Sequence, residues 1–589
     1  MTGFRTYLKI TMAALCWLVV AMPGWAQTAE TVTTAKEVKA GTPVRPGETK
    51  CRYPLPTHRK WGKHEIWAWK DRICLGKIAD MSAYDGGDGK GCDPKKADGW
   101  PKTRNLSNEF LQTILDHQPH RGALTRSGVR IQCARFRETV DLSGMVLAHP
   151  LWLDKSRFRR TVNFTDLRSA SLISLEASVL DGRFRADRLK VAASLFLRGK
   201  AHFKKEVRLL GAKIGGQLST IGSTFDGRFR ADGLEVAGPL FMRGKAHFKK
   251  EVRLLGAKIG GQLSAIGSTF DGRFNANRFQ VVGSLFMRNG ASFKDIDLRG
   301  AKIGGQLSAT GSTFDGRFNA SRFQVGGSLL MRNGASFKDI NLRGAKIGGS
   351  LQFRGGVFNG HVDLTSASIG DELRLTAPPP RWTKKSRLTL RNTRVGALND
   401  TVEAWPDRID LTGFTYDRLG GLNSTLTDRP NKQLREWLAK QNGYKTTYNP
   451  QPFEQLAKVL RDSGYPGKAD AILFAARSHQ RDSPKTPWLT EIKLWVQWGL
   501  IGYGYKNWLA LIWFLALTGL GTLACRRSDL QGWQRFWYSF DMALPIVELN
   551  AHHKDVVLTN RTAVYFYIHK MGGFVFVSFL IAGLSGLTK

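Results

Sequence analysis

Apolar residues recur at a fixed interval through the middle of the chain. Of the 22 intervals between successive apolar anchors, 20 are 11 residues long and two are 12. Most anchors are followed two residues later by another apolar or small residue, which is the alternation of a strand with one face inward. The anchors are Val129, Val140, Leu151, Val162, Ile173, Phe184, Leu195, Val207, Leu218, Phe229, Leu240, Val252, Leu263, Phe274, Leu285, Ile296, Leu307, Phe318, Leu329, Ile340, Leu351, Val362 and Leu373.

A second inward position falls seven residues after an anchor, with Gly, Asn and Ser between the two as corner residues. One 11-residue unit is too short to close around its own side chains, so two units are expected to make each 22-residue coil. The pattern therefore predicts a mainly β protein, a right-handed β-helix of about 11 coils and about 50 Å. The second inward position holds Phe225, Ile259, Phe270, Ile303, Phe314, Ile347, Phe358 and Ile369.

A longer repeat of 44 or 45 residues contains two such coils. The segment GAKIGG begins at Gly211, Gly256, Gly300 and Gly344. The segment DGRF begins at Asp181, Asp226, Asp271 and Asp315. A helical solenoid is disfavoured, because its units would need Ala- and Leu-rich runs without glycine corners.

The 11-residue register breaks at Pro378–Pro380, and the pattern becomes helical after residue 420. We expect the β-solenoid to occupy residues 123–420 and a helical hairpin to occupy residues 421–485. The hairpin resembles one tetratricopeptide-like unit, and one unit cannot form a binding superhelix, so it is expected to cap the solenoid or couple it to a membrane. Its two apolar faces hold Phe453, Leu456, Ala457 and Leu460, and then Ala469, Ile472, Leu473 and Ala476.

The first 26 residues have the pattern of a secretory signal peptide. Arg5 and Lys9 precede an apolar run, and Gly24-Trp25-Ala26 predicts cleavage after Ala26, with an uncleaved anchor as the alternative. Export would place the following segment, residues 27–122, in an oxidising compartment, where two disulfides of open connectivity are expected. The candidate cysteines are Cys51, Cys74, Cys92 and Cys133, whereas Cys525 is expected to be a free thiol.

The last region, residues 486–589, contains two apolar runs that are just long enough to cross a membrane. They cover residues 508–524 and 571–588, and aromatic residues precede the first. Arg526 and Arg527 follow the first run, which favours a cytoplasmic loop between the two spans. The chain is therefore predicted to lie in the inner membrane with most of its residues in the periplasm.

A third apolar segment, residues 536–549, is too short to span and is expected to be interfacial or re-entrant. Asp541, Pro545 and Glu548 interrupt it, and the two acids are seven residues apart, so they could share a helical face. Buried acids at membrane depth usually mark function or subunit contacts, which raises the hypothesis of a transporter or channel subunit. A metal site is a weaker interpretation than a solvated loop for the group Glu548, His552, His553 and Asp555.

Positive charge is concentrated in the repeats. The chain has a formal net charge of +40, and residues 178–354 hold 31 Lys and Arg against 12 Asp and Glu, a net +19. Repeated cations form ladders that suit a polyanion, although duplication of a solvated surface would repeat its charges as well. Lipopolysaccharide, anionic lipid and acidic glycan are the expected ligand classes, and nucleic acid is not expected for an exported chain. The candidate residues are Arg228, Arg243, Lys258, Arg273, Arg288, Lys302, Arg317 and Arg332.

Candidate catalytic chemistry is weak. The four Asp residues of the DGRF segments lie two coils apart, and each is two residues from an arginine that would keep it ionised. No redox cysteine pair, dinucleotide fingerprint or strong metal-ligand spacing is present. The sequence therefore predicts no cofactor, no metal and no catalytic residue. The segment Asp85–Asp93 is a poor match to a calcium loop and is expected to be a disulfide-tethered loop.

Three segments resemble a bacterial family of membrane-associated repeat proteins whose function is not established and some of whose members are labelled oxidoreductase. They are Leu254–Leu263, Gln451–Arg461 and Phe540–Leu549, and the resemblance covers residues 105–589. The repeats also resemble pentapeptide-repeat-like β-helices. The resemblance implies a solenoid followed by two transmembrane helices.

These observations favour a non-catalytic, membrane-anchored periplasmic solenoid that serves as an envelope scaffold or a polyanion- and glycan-binding surface. A membrane-protein partner or a second copy of the chain is a further expectation. The alternatives are a glycan-active β-helix enzyme and a transporter- or channel-associated subunit.

Overall fold

The computed structural model of the chain describes residue 51 and residues 61–84, 86, 91–420, 429–441, 443–544 and 547–584. The predicted signal peptide lies outside the described residues. The repeats form a β-solenoid in which Leu218 pairs with Leu240, and Leu240 pairs with Leu263, in parallel. One coil therefore takes 22 or 23 residues, which confirms the predicted pairing of two 11-residue units.

Each coil carries four short strands, one on each side, so the solenoid has four faces that we number in chain order. Face 1 contains Ala79–Asp80, Val129–Gln132, Leu151–Asp154, Ile173–Ser174, Leu195–Phe196, Leu218–Ser219, Leu240–Phe241, Leu263–Ser264, Leu285–Phe286, Leu307–Ser308, Leu329–Leu330 and Leu351–Gln352. Face 2 contains Arg135–Phe136, Arg157–Phe158, Val179–Leu180, His202–Phe203, Thr224–Phe225, His247–Phe248, Thr269–Phe270, Ser292–Phe293, Thr313–Phe314, Ser336–Phe337, Val357–Phe358 and Arg381–Trp382.

The other two faces complete each coil. Face 3 contains Val140–Asp141, Val162–Asn163, Phe184–Arg185, Val207–Arg208, Phe229–Arg230, Val252–Arg253, Phe274–Asn275, Ile296–Asp297, Phe318–Asn319, Ile340–Asn341, His361–Asp363, Arg387–Thr389 and Ile409–Asp410. Face 4 contains Val146–Leu147, Arg168–Ser169, Lys190–Val191, Lys213–Ile214, Glu235–Val236, Lys258–Ile259, Gln280–Val281, Lys302–Ile303, Gln324–Val325, Lys346–Ile347 and Thr415–Leu419. Two longer strands, Ser368–Leu375 and Arg394–Asp400, run through faces 4 and 1 together.

The solenoid continues past the three prolines. Leu388 pairs with Val362 and Ile409 pairs with Leu388, so face 3 has 13 strands and the solenoid about 13 turns rather than about 11. The prolines fall between the strand ending at Leu375 and the strand beginning at Arg381. They lengthen one corner while the strands on either side keep their partners, because a loop at a corner breaks no ladder hydrogen bonds.

The core is a continuous stack of like residues. Every anchor from Val129 to Leu373 is buried, with at most 2% of its surface exposed, and the anchors alternate between faces 1 and 3. The second inward positions are buried on faces 2 and 4. Along face 2 their rings stack in parallel with centroids 4.5 to 5.7 Å apart, through Phe203, Phe225, Phe248, Phe270, Phe293, Phe314, Phe337 and Phe358.

The GAKIGG segment forms face 4 and its two corners. Gly256 adopts a left-handed φ of +63°, which glycine reaches without steric cost. Lys258 then points outward and Ile259 inward. A Cβ on Gly260 would lie 2.1 Å from the carbonyl oxygen of Ala237 in the preceding coil, so this corner needs a residue without a side chain.

A helical cap that the sequence reading missed closes the first coil. It comprises α1 (Lys63–Trp67), α2 (Met81–Tyr84), α3 (Asn108–Asp116) and α4 (His120–Ala123). Trp69, Phe110 and Ile114 are fully buried in it. Two disulfides stabilise the cap, Cys51–Cys74 and Cys92–Cys133, with Cα–Cα distances of 5.7 and 5.3 Å.

Three helices cover the other end, namely α5 (Asn431–Ala439), α6 (Gln451–Asp462) and α7 (Pro466–Arg481). The Gln451 amide accepts a hydrogen bond from Gly413 N and donates one to Phe414 O, each at 2.9 Å. Gln455 Nε2 donates to Tyr416 O at 2.7 Å. These contacts satisfy backbone groups of the last strand, Thr415–Leu419, which has no further coil to pair with.

Four more helices follow, namely α8 (Trp488–Ile501), α9 (Trp508–Ala524), α10 (Trp533–Ala543) and α11 (Asn560–Leu584). Among the described residues, one helix is long and apolar enough to cross a membrane, over Asn560–Gly583, and α8 with α9 passes the same test only as a pair bent by 113°. The bounds of α9 match the first predicted span, but 17 residues of helix measure only about 26 Å. Two transmembrane helices therefore remain a prediction.

Candidate functional site: the cationic groove of face 4

The structure places the predicted cation ladders on three different sides of the solenoid. Arg228, Arg273 and Arg317 precede strands of face 3, at the corner with face 2. A second ladder, Arg243, Arg288 and Arg332, follows strands of face 1, at the corner with face 2. Lys258 and Lys302 lie on face 4. The eight residues therefore cannot contact one ligand together.

The ladder at the corner of faces 1 and 2 is engaged in contacts within the protein. The guanidinium groups of Arg198, Arg243 and Arg288 lie 4.3, 4.6 and 4.6 Å from the rings of Phe196, Phe241 and Phe286. Arg332 Nη1 donates to Gln352 Oε1 at 2.6 Å. These cations cover outward aromatic rings, and stacking of this kind is a stabilising contact.

The ladder at the corner of faces 2 and 3 is exposed but partly neutralised. Arg228, Arg273 and Arg317 are all exposed. Arg273 Nη2 lies 2.6 Å from Asp297 Oδ2, and that carboxylate is buried. An arginine held by a buried carboxylate has less charge to offer a ligand than an isolated one.

Face 4 presents one outward side chain in each coil, at the first position of the strand. Consecutive coils are in register, as in the pairing of Lys213 with Glu235 and of Glu235 with Lys258. Neighbouring strands lie about 4.8 Å apart, so these side chains form a ladder at that spacing. The ladder reads Arg168, Lys190, Lys213, Glu235, Lys258, Gln280, Lys302, Gln324, Lys346 and Ser368.

A groove runs beside this ladder. It consists of two depressions of ≈ 810 and ≈ 730 Å³ that share Gln280 and Val282 in their linings. Its floor is flat because the residue two positions after each ladder residue is small in nine of ten coils, and glycine occupies six of these positions, where the coils stack closely. Val282, 72% exposed, is the exception and lies where the depressions meet. The floor residues are Ala170, Ala192, Gly215, Ala237, Gly260, Val282, Gly304, Gly326, Gly348 and Gly370.

Most of the charge on the ladder is not compensated. Glu235 lies between Lys213 and Lys258, at 2.9 and 3.4 Å, and hydrogen bonding by Lys213 lowers the pKa of the Glu235 carboxyl. Within the described parts of the chain, no ion pair forms with Arg168, Lys190, Lys302 or Lys346. Four cations therefore face the groove without an ion-pair partner among the described residues, and Asp166 lies within electrostatic reach of Arg168 and Lys190.

The aspartates of the DGRF segments lie on face 2 and have basic neighbours other than the expected arginines. Asp226 lies 2.8 Å from Lys249 and 2.7 Å from His202, and Asp181 contacts Lys204 and Arg157. Burial opposes ionisation of Asp226, but the hydrogen bonds from Lys249 and His202 outweigh it and lower the pKa. Groups held ionised in this way are poor general acids.

The acids of the C-terminal segment are separated, contrary to the expectation of a shared helical face. Asp541 is buried in α10, where it lies 2.8 Å from His553 Nδ1 and accepts a hydrogen bond from Leu549 N at 2.7 Å. Glu548 lies beyond the end of α10 and is exposed. The helix ends at Ala543 because the next residue, Leu544, precedes a proline and is extended. Pro545 itself lies outside the described residues.

The α10 helix packs against both α9 and α11 through polar contacts. Ser539 Oγ donates to Thr518 O at 2.7 Å, and His569 Nε2 lies 2.9 Å from Ser539 O. A Cβ on Gly521 would lie 2.1 Å from Ser539 Oγ, so the helices approach closely there. Cys525 is a buried free thiol beside Tyr538 and Phe566.

The sequence reading missed Arg168 and Lys190, which belong to the ladder but not to the 44-residue repeat. The alignment of GAKIGG segments finds only alternate coils, whereas a 22-residue alignment brings in the intervening Lys190 and Gln280. The sequence also did not show that the three ladders lie on different sides of the solenoid. The side on which a residue lies depends on where each strand ends and the chain turns a corner.

No protein-family model, no curated protein and no solved structure matches the chain. The resemblance to repeat β-helices is shown by the fold, whereas membership of a particular family stays a prediction. In the described part of the chain, no group of three or more His, Cys, Asp or Glu side chains is arranged to hold a metal ion.

Proposed function

We propose that the protein is a non-catalytic, membrane-anchored binding solenoid of the cell envelope, and that the groove of face 4 holds a linear polyanion. The observation that supports this most strongly is the ladder of six cations with a single acid, Glu235, along one continuous groove. Each exposed cation contributes little alone, but several on a stiff scaffold meet a linear polymer with little loss of conformational freedom.

The ligand chemistry is that of a chain of phosphates, sulfates or carboxylates, as in lipopolysaccharide, anionic lipid or acidic glycan. The groove covers ten coil intervals, from Val146 to Ser368, which corresponds to about 48 Å. A polymer of matching length would engage all of the cations, and a monomer only one or two.

Anchoring at the inner membrane is supported by the distribution of exposed apolar side chains. Among the described residues, every large apolar side chain that is exposed lies between Trp488 and Ile581, except Ile78, Val146 and Val282. Patches of this size are characteristic of membrane or protein interfaces. In this arrangement α11 spans the bilayer, and α9 and α10 pack against it.

A matched pair of variants of the full chain in detergent tests the binding proposal. One variant changes the uncompensated cations of face 4, Arg168, Lys190, Lys302 and Lys346, to Gln. The other removes the same charge from face 2 by changing Lys204, Lys249, Lys294 and Lys338 to Gln. Affinity is measured for polygalacturonate, lipopolysaccharide and phosphatidylglycerol vesicles at low and high salt.

We expect the face 4 variant to lose affinity and salt dependence for at least one of these polymers, whereas the face 2 variant keeps most of both. Equal losses would indicate attraction to net charge alone and would contradict a specific groove. Comparison of the three probes identifies which polyanion is preferred.

The enzymatic alternative has one specific observation in its favour. Asp154 and Glu176 lie on successive coils, where burial raises the pKa of the Asp154 carboxyl to about 6 and Glu176 is paired with Arg198 at 2.8 Å. Two carboxyl groups on neighbouring coils, one of them with a raised pKa, are a feature shared with glycoside hydrolases. Release of reducing ends from an acidic glycan, abolished by Asp154→Asn, would favour this alternative.

A further inference from the structure

A further depression, separate from the two that form the face 4 groove, has a volume of ≈ 700 Å³. It lies at the corner between faces 3 and 4 in the C-terminal half of the solenoid. Unlike the groove, it is lined mainly by polar residues. Four arginines surround it. Arg278 and Arg322 occupy one position of the coil, and Arg299 and Arg343 occupy the position one residue earlier in the intervening coils. Its other polar lining residues are Asn277, Ser321, Asn341, Thr365 and Ser366.

Two of the arginines are held in place by buried carboxylates. Arg299 makes a bidentate contact with Asp297, with Nε at 2.9 Å from Oδ1 and Nη2 at 2.8 Å from Oδ2. Arg343 Nε lies 2.7 Å from Asp363 Oδ2. Burial opposes ionisation of both aspartates, but hydrogen bonds, from Arg299 to Asp297 and from Thr365 to Asp363, outweigh it and lower their pKa values.

The other two, Arg278 and Arg322, have no carboxylate at ion-pair distance among the residues that the structure describes. Both are exposed. Asp297 is also paired with Arg273, so the two carboxylates neutralise at most two of the four guanidinium groups, and the depression keeps an excess of at least two positive charges, those of Arg278 and Arg322. These two charges lie two coils apart, or about 10 Å.

Both free arginines adopt a backbone conformation that disfavours them. Their φ angles are +56°, in the left-handed region, whereas the same corner position in the intervening coils holds Gly256, Gly300 and Gly344. Glycine takes this conformation without strain, so the fold does not require an arginine there. Asp166, Arg188 and Ser366 have the same left-handed angle at this corner, so what distinguishes Arg278 and Arg322 is that each is an arginine without a carboxylate partner among the described residues.

The alternation of arginine and glycine also has a steric basis. The Cγ of Arg278 comes within 3.6 Å of the position that a Cβ on Gly300 would take, and that of Arg322 within 3.5 Å of the position at Gly344. Each arginine side chain therefore extends along the solenoid over the glycine of the next coil. The corner is shaped to orient these two guanidinium groups into the depression.

We propose that this depression, which we call the arginine pocket, binds a ligand with two phosphate esters, such as a bisphosphorylated sugar or glycolipid headgroup. A planar guanidinium forms paired hydrogen bonds to phosphate oxygens, which the ammonium groups of the face 4 lysines cannot do. The two free arginines each take one phosphate, while Arg299 lines the wall between them and Arg343 lies one coil beyond Arg322. The side chains of Asn277, Ser321 and Asn341 supply hydrogen bonds to the sugar hydroxyls. The site is separate from the groove and does not depend on its function.

The test is the double substitution Arg278→Gly and Arg322→Gly in the full chain in detergent. It installs the residue that alternate coils already carry, so the thermal midpoint should stay the same or rise. Binding of fructose 1,6-bisphosphate, used as a soluble probe of two phosphate esters, should weaken by roughly tenfold or more for each arginine. Inorganic phosphate should bind the native protein more weakly than the bisphosphate does.

Two controls separate this site from its surroundings. Arg188→Gly removes an arginine from the same corner position in the N-terminal half, where Asp166 pairs with it at 2.6 Å, and should leave bisphosphate binding unchanged. The face 4 variant with four Gln substitutions should also retain it. The proposal is overturned if the native chain does not bind the bisphosphate, if the double variant binds it equally well, or if Arg188→Gly weakens it as much.

Discussion

Faces 2 and 4 come from the same repeat and have equally buried interiors, yet their outer surfaces differ in charge. On face 2 the outward charges alternate in sign from coil to coil, and two lysines pair with the aspartate of the preceding coil, Lys204 with Asp181 and Lys249 with Asp226. On face 4 they have one sign, with Glu235 as the single exception. The alternating series on face 2 is Asp181, Lys204, Asp226, Lys249, Asp271, Lys294, Asp315 and Lys338.

The comparison shows that duplication alone does not decide what a repeated charge does. Both series arose with the same period, but the alternation of sign cancels the net charge of the face 2 series, whereas the face 4 series keeps a net positive charge. The inward residues allow this freedom, because stacked Phe on face 2 and stacked Ile or Val on face 4 each bury the coil regardless of what lies outside. The proposed function therefore depends on the outer positions and the fold on the inner ones.

The largest effect is expected from a change in the interior that both faces share. Leu263→Asp would bury an unpaired charge and should cost about 4 kcal/mol or more of unfolding free energy, with loss of neighbouring coils. Arg243→Asp, on the outer surface, should cost less than about 1 kcal/mol, because it removes mainly a stacking contact with Phe241. Denaturant titration followed by circular dichroism measures both. Equal tolerance would contradict the assigned register.

A smaller but still large effect is expected from the ring stack inside face 2. Phe248→Ala removes a fully packed ring between Phe225 and Phe270, and should cost about 3–5 kcal/mol. Ile259→Ala, on the inner side of face 4, should cost about 2–4 kcal/mol, since a smaller side chain leaves a smaller cavity. Thermal unfolding of the two variants compares the faces directly. A smaller destabilisation by Phe248→Ala than by Ile259→Ala would show that ring stacking adds no stability.

On the outer surface, Glu235→Gln should strengthen binding while hardly changing stability. It releases Lys213 and Lys258 from their shared acid, so affinity for an acidic polymer at low salt should rise by about 2- to 10-fold. Asp271→Asn makes the same change in net charge on face 2 and serves as the matched control. A similar gain in the control would mean that the faces do not differ in binding.

The smallest effect concerns the pH dependence of face 2. The pKa of Asp226 is lowered in the folded chain, so its stabilising contribution is present above the unfolded value of 3.8 and is lost as pH falls through the folded one. The contribution should be about 0.5–1 kcal/mol, because the group is partly solvent-screened. Asp226→Asn should therefore destabilise more at pH 7 than at a pH well below 3.8. Equal destabilisation at both pH values would contradict the ion-pair assignment.

The solenoid could be predicted from the sequence because each coil repeats the same local rule. Period, burial and coil length follow from the anchors up to Leu373, and the coils beyond the prolines continue the same core with Leu388 and Ile409. The two caps were harder, because each occurs once and its residues are selected by the particular coil that it covers. The contacts of Gln451 and Gln455 with the last strand illustrate this, since nothing in the periodicity points to them.

The candidate sites were less accessible to sequence reasoning than the fold. Whether Arg228, Arg243 and Lys258 can meet one ligand depends on which corner each occupies, and a linear repeat does not give the corner. Compensation by neighbouring coils is likewise a three-dimensional property. Arg278 and Arg322 were passed over because their significance lies in the depression that they line and in the charges of the neighbouring coils.

The close match between the long repeat and two whole turns has a consequence for how this chain can change in evolution. Loss or gain of one 44- or 45-residue unit would return the backbone to the same side of the stack, so both terminal caps would still meet the strands they fit. The length of each face would change with it in steps of about 10 Å, which is two coils, and so would the number of repeated side chains on that face. The length of the solenoid can thus change through recombination between near-identical segments, without the slow accumulation of point mutations.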